Sequence, residues 1–363
     1  MPYIISIGKK LPQHLVKQEQ AVEFTKEMFS STFTNIDRYL KAFENGGIQN
    51  RHFVEELSWY QQDHTFEEKN NAYNKHAVAL GKDAIIQCLT RKDLLNKGIP
   101  FEEIDAIFFI SSTGLSTPSI DAKIMNELPF RDTVKRIPIW GLGCAGGAAG
   151  ISRAFEYCRA FPKSKVLVLT IELCSLTFQH DDQTKSNLIG TSLFADGVAC
   201  ALITGDQTEY KDYVKYDSYM SIINTQSNIL PDSEDVMGWN IRNNGFYVIF
   251  SRSIPSIIEK WLRPNVENFL HKQGMTLNEI THFLAHPGGK KVLQAYQHCL
   301  SLDAKQLHVS NEILRTFGNM SSVTVLYVLE QYIEKQLAKQ GEYGLIAAMG
   351  PGFSSEQVLV RWE

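Results

Sequence analysis

Short, nearly uninterrupted apolar runs closed by small or polar residues dominate the hydropathy pattern of this chain. Residues 106–110, 136–140, 166–171 and 198–203 have this character, which is typical of strands covered on both faces. The opening residues Tyr3-Ile4-Ile5-Ser6-Ile7 read as a further buried strand. Stretches 121–128 and 147–161 between the runs read as helices. Alternating strands and helices predict an α/β fold with helix-covered sheets. Residues 206–215 are polar, and then the pattern returns. A strand at 280–285 runs into His286-Pro287-Gly288-Gly289 and a helix. Residues 307–310 lead to Gly318-Asn319-Met320-Ser321-Ser322 and another helix, and strands at 344–349 and 357–361 close the chain. The recurrence predicts an internal duplication, with residues 1–210 and 211–363 as two similar halves packed face to face.

The 363 residues are 44% hydrophobic and 21% charged, the composition of an ordinary globular protein. A net charge of −4 argues against a nucleic-acid binder, which needs a basic face. No apolar run reaches the roughly 20 residues of a membrane span, and the N-terminus lacks the basic segment and cleavage pattern of a signal peptide. None of the six cysteines forms a C-x-x-C pair, so reduced thiols in a cytoplasmic protein are expected.

One cysteine has distinctive neighbours. Trp140-Gly141-Leu142-Gly143-Cys144-Ala145-Gly146-Gly147 places a thiol on a tight turn between a strand and a small-residue helix. Free N–H groups and the helix dipole favour negative charge there, and the thiolate is the nucleophilic form. The helix contributes roughly 0.3–1 kcal/mol, against ~1.36 kcal/mol per pKa unit. It therefore rarely lowers a thiol's ordinary pKa of ~8.5 by more than about one unit, and a standing thiolate calls for an imidazolium partner. Of ten histidines, His286 stands out, because it follows an apolar strand at the edge where α/β sites gather. Asn319, at a helix start, would ordinarily be an N-cap. In a duplicated fold its turn faces that of Cys144, and the three residues together supply a nucleophile, a base and an amide donor. The same glycines also spell Gly141-x-Gly143-x-x-Gly146, a dinucleotide fingerprint, with Glu172 placed to meet a ribose. That rival reading predicts an oxidoreductase.

These motifs, with Leu193-Phe194-Ala195-Asp196-Gly197 and Gly350-Pro351-Gly352, resemble the type III polyketide synthases, the chalcone-synthase-like branch of the thiolase superfamily. The resemblance covers nearly the whole chain. It implies a thiolase-like fold of two duplicated halves in an αβαβα arrangement, and a homodimer that uses acyl-CoA and malonyl-CoA. No metal, flavin or nicotinamide cofactor is implied, since loss of CO2 generates the carbanion. Cys144 would carry the starter acyl group. His286 would maintain the thiolate and, with Asn319, bind the thioester carbonyl and the enolate formed on decarboxylation. Phe194 matches a gatekeeper, Glu172 an acid near the cavity, and Thr177, Trp239 and Ser321 cavity-shaping positions. Thr117 falls in a loop that reaches across the dimer in relatives, and Arg38 and Lys41 match basic positions that hold CoA phosphates.

Three positions depart from plant relatives. Val248 stands at the second gatekeeper position, bulky Trp239 replaces a small residue, and Met349 replaces an aromatic before Gly350-Pro351. These changes point to long-chain fatty acyl-CoA starters extended by malonyl-CoA and closed to alkylpyrones. Alkylresorcinols are the alternative within this class, and a ketoacyl synthase III-like enzyme or a non-catalytic acyl-binding homologue are alternatives outside it.

Overall fold

The computed structural model describes every residue except Ser31, Thr32, Thr34 and Asp217, and of Ala42 the backbone alone. Among the described residues, nine strands form one mixed sheet. They are β1 (Tyr3–Lys10), β2 (Ala106–Ile110), β3 (Lys135–Ile139), β4 (Lys165–Leu173), β5 (Asp196–Thr204), β6 (Met220–Ile229), β7 (Ile280–Ala285), β8 (Tyr343–Gly350) and β9 (Ser354–Trp362). The spatial order is β7-β8-β9-β6-β1-β5-β4-β2-β3.

The duplication is visible in this order. β1-β5-β4-β2 and β6-β9-β8-β7 share one succession of pairings: antiparallel, antiparallel, parallel. The two arrays meet where β1 and β6 pair through Tyr3 with Ser221 and Ile4 with Met220. The first array carries the additional edge strand β3. In the second, residues 307–310 are not extended: they begin the helix His308–Phe317, which delivers the chain to Asn319.

Helices form three layers around the strands. Phe66–Thr90 buries Tyr73, Ala77, Ala84 and Ile85 on the outer side of the first array. Ile254–His271 and Lys290–Leu300 cover the second, packing Ile258, Leu262, Val266 and Leu293 with Phe283 and Leu345. Gly146–Ala160 and Thr324–Glu334 lie between the arrays and are buried over most of their length. Each large aliphatic side chain buried this way contributes roughly 1.5–3 kcal/mol.

A cluster of charges sits within this packing. Glu330, on a central helix, accepts from Arg91 at 2.6 Å and Lys9 at 2.7 Å. Burial opposes its ionisation, but the hydrogen bonds and charges of Lys9 and Arg91 outweigh that and hold its carboxyl below the ordinary range. Removing one member of such a group leaves buried charge uncompensated. Glu330→Ala is expected to cost about 3 kcal/mol, read as a lowered urea midpoint with an unchanged denaturant slope.

Candidate active site

The nucleophile turn begins where β3 ends. Gly141 and Gly143 take φ values of +94° and +45°, a region that favours glycine, and so lead the chain from strand into helix within a few residues. Cys144 follows in a single helical turn that opens the helix Gly146–Ala160. The Gly350-Pro351 turn of the second half closes over it: a Cβ on Gly143 would lie 2.7 Å from Pro351 Cδ.

His286 comes from the end of β7, held by its backbone N–H donating to Ala347 O at 2.8 Å. Asn319 is fixed on both sides of its peptide: its N–H donates to Leu193 O, and its carbonyl accepts from Ala195 N–H, each at 2.9 Å. Its side-chain Nδ2 donates to Gly288 O at 3.1 Å, and Oδ1 accepts from Ser321 N–H at 2.8 Å. This amide therefore acts as a bridge between two loops rather than as a helix cap.

Cys144, His286, Asn319 and Met349 line one pocket of about 320 Å³, whose other walls include Met237, Phe250 and Ile254. Burial pushes the Cys144 thiol up to about 12, with the Glu172 charge acting in the same direction; hydrogen bonds from Ser321 and Asn319 pull the other way. Ser321 thus acts on the Cys144 thiol electrostatically. Burial alone holds the His286 imidazole down at about 3, and among the described residues neither of its ring nitrogens has a hydrogen-bond partner. Burial therefore works against charge on either group, the opposite sense to the thiolate and imidazolium that the sequence leads one to expect. Desolvation penalises both charged forms and exceeds what the helix N-terminus supplies.

Glu172 is fully buried and accepts from Ser112 N–H, Thr113 Oγ1 and Ser322 Oγ at 3.0, 3.0 and 2.6 Å. Burial raises its carboxyl to about 7 despite these donors. With both oxygens occupied it has no access to a ribose. The glycine turn likewise approaches protein: a Cβ on Gly147 would lie 2.2 Å from Ser322 O. The dinucleotide reading fails on this packing.

The remaining candidates fall into two neighbouring cavities and one surface loop. Thr177, Phe194, Trp239 and Val248 line an apolar pocket of about 570 Å³, together with Phe24 and Leu57. Trp239 and Val248 face each other across the hairpin Met237–Arg242 and Gly245–Phe250, and the Trp239 ring lies 6.0 Å from that of Phe194. Arg38 and Lys41 line an open cleft of about 1440 Å³. Four further cations there, Lys185, Arg252, Lys290 and Lys291, were not anticipated, and among the described residues no carboxylate lines it. Lys290 and Lys291 directly follow the His-Pro-Gly-Gly frame, so that pair was findable. Phe250, Ile254, Gly288 and Val292 line both the cleft and the Cys144 pocket, which makes the two adjacent. Thr117 is exposed on its own loop and lines none of these cavities. Among the described residues no cluster of side chains has the makings of a metal site, and no helix is long and apolar enough to cross a membrane.

Comparison with known proteins agrees with this architecture. The N-terminal domain of chalcone and stilbene synthases matches residues 2–207, and the C-terminal domain residues 221–362. A putative chalcone synthase of Bacillus subtilis is 51% identical over 363 residues, 100% of this chain and 99% of that protein. The α-pyrone synthesis polyketide synthase-like Pks18 of Mycobacterium tuberculosis is 28% identical, covering 96% of this chain and 88% of its own length. The crystal structure of 1,3,6,8-tetrahydroxynaphthalene synthase from Streptomyces coelicolor superposes with a TM-score of 0.91 at 26% identity, covering 99% of both chains. The chain belongs to the chalcone and stilbene synthase family and is a type III polyketide synthase, an acyltransferase with the thiolase-like fold.

Proposed function

We propose that this enzyme loads a long-chain fatty acyl group onto Cys144, extends it with malonyl-CoA and releases alkylpyrones. One observation carries the reading: Cys144, His286 and Asn319, drawn from both halves, share an otherwise largely apolar pocket that adjoins a basic cleft. CoA is polyanionic, and the cations around the cleft suit its phosphates. The apolar pocket behind Phe194 suits an alkyl chain, which leaves no buried polar group unpaired. The Mycobacterium relative is named for α-pyrone synthesis, whereas the Streptomyces neighbour makes a naphthalene. The apolar lining of the second pocket favours the pyrone route here.

As the acyl-CoA carbonyl meets the sulphur, His286 takes the thiol proton and passes it to the departing CoA thiolate. The acyl group then remains on Cys144. His286 and Asn319 next donate hydrogen bonds to the malonyl thioester oxygen, stabilising the enolate left when the C–CO2 bond breaks. That carbanion attacks the acyl-Cys144 carbonyl, a C–C bond forms, and the cysteine thiolate leaves. After the last extension an enol oxygen attacks the thioester carbonyl, closing the lactone and expelling the thiol. Carbanion formation by loss of CO2 makes metal, flavin and nicotinamide unnecessary to this scheme.

A second copy of the chain fits the exposed edge of β3. Trp140 is 47% exposed there, and among the described residues the buried Asp121 carboxylate has no hydrogen-bond donor, with the Arg136 guanidinium nearby at 3.7 Å. Pairing of two such edges would bring the Thr117 loop to the seam.

Mass spectrometry of protein incubated with palmitoyl-CoA is the direct test. A palmitoyl adduct on Cys144 is expected in the wild type and none in Cys144→Ala, whereas Cys144→Gln keeps malonyl-CoA decarboxylation. Acylation that survives Cys144→Ala would overturn the assignment. Lys290→Glu with Lys291→Glu is expected to raise KM for both CoA substrates at least tenfold at low salt, and less at high salt. Val248→Phe is expected to shift the preferred starter to shorter chains, read from the products formed from a mixture of acyl-CoAs.

A further inference from the structure

A fourth polar side chain lines the Cys144 pocket and has no place in the scheme above. Tyr296 is fully buried, and its hydroxyl has no hydrogen-bond partner among the described residues. It lies one helical turn beyond Val292 on the helix Lys290–Leu300, so both point to the same side. Val292, with Ile254 and Gly288, lines the side of the pocket shared with the basic cleft. Tyr296, Ile258 and Phe353 line the pocket but not the cleft, as Cys144 and His286 do, which puts the phenol on the pocket's inner side with the reacting residues. Ile258, Met349 and Phe353 around it are apolar, leaving the phenol as the polar group there. Burial, followed by the nearby Cys299 and Cys144 sulphurs, raises its pKa above the ordinary value. The hydroxyl therefore stays protonated and can donate.

A thioester entering from the cleft leaves its CoA at the mouth and sends its acyl carbons inward past Cys144. A malonyl group ends a few atoms further on in a carboxylate, whereas an alkyl starter offers no acceptor. We propose that the Tyr296 hydroxyl donates a hydrogen bond to the free carboxylate of the malonyl thioester, making the inner side of the pocket a malonyl-specific subsite. This rests on Cys144, His286 and Asn319 being the reacting set. The hydrogen bond belongs to the ground state, since its acceptor departs as CO2 when the C–C bond breaks. It therefore acts on binding of the extender and not on the chemical step.

Tyr296→Phe keeps the ring and removes the hydroxyl alone. Its malonyl-CoA KM is expected to rise roughly tenfold to a hundredfold, as for loss of a hydrogen bond to a charged group. The kcat for CO2 release is expected to be unchanged or higher, and acylation of Cys144 by palmitoyl-CoA unchanged. The thermal midpoint is expected to match or exceed that of the wild type, because an unpaired buried hydroxyl is destabilising in the free protein. An unchanged malonyl KM, an equal change in the palmitoyl-CoA KM, or a lowered midpoint with general loss of activity would each overturn the proposal. Failure of the wild type itself to acylate Cys144 would overturn the reading of the reacting set instead.

Discussion

The carbonyl of Ser322 lies where a side chain on Gly147 would begin, 2.2 Å from the position of a Cβ. This contact between the starts of two central helices, one from each half, governs the rest of the site. Any side chain at Gly147 would push the helices apart, and the Cys144 turn would move with its helix. Pro351 makes the same demand on Gly143 from the other side. The nucleophile is therefore positioned by the second half of the chain as much as by its own turn. Asn319, tied to Leu193 and Ala195 of the first half, is positioned by the reciprocal arrangement.

Such tight packing excludes water, and that decides the electrostatics. Burial raises the Cys144 thiol and lowers the His286 imidazole, so the dry pocket works against charge on either. Glu172, raised to about 7 behind the thiol, adds to this tendency: when ionised, its charge opposes a thiolate next to it. Ser321 and Asn319 act in the opposite sense through their hydrogen bonds to sulphur.

Continuous apolar runs made the buried strands legible, and β2 and β7 fall on the residues the hydropathy pattern indicated. β6 was not legible, because half of its length, from Asn224 to Asn228, is polar and partly exposed. The catalytic candidates were readable from their turns, since glycine and small residues leave a plain local signature. What decided between a thiol centre and a dinucleotide site was not local: Pro351 and Ser322 fill the space above the glycines, and they lie far along the chain. Tyr296 was invisible for a related reason. An aromatic at helical spacing from apolar neighbours looks like core, and only the lack of a partner for its oxygen sets it apart.

The strand that begins the chain occupies the middle of the sheet, between β5 and β6. Both of its ladder partners, around Thr204 on one side and Ser221 on the other, are translated some two hundred residues later. During synthesis this strand therefore waits as an apolar edge while most of the first half emerges. Contacts so distant in sequence slow folding, and a waiting edge invites pairing with other chains. The seam that unites the halves is thus completed only when the sixth strand has been made.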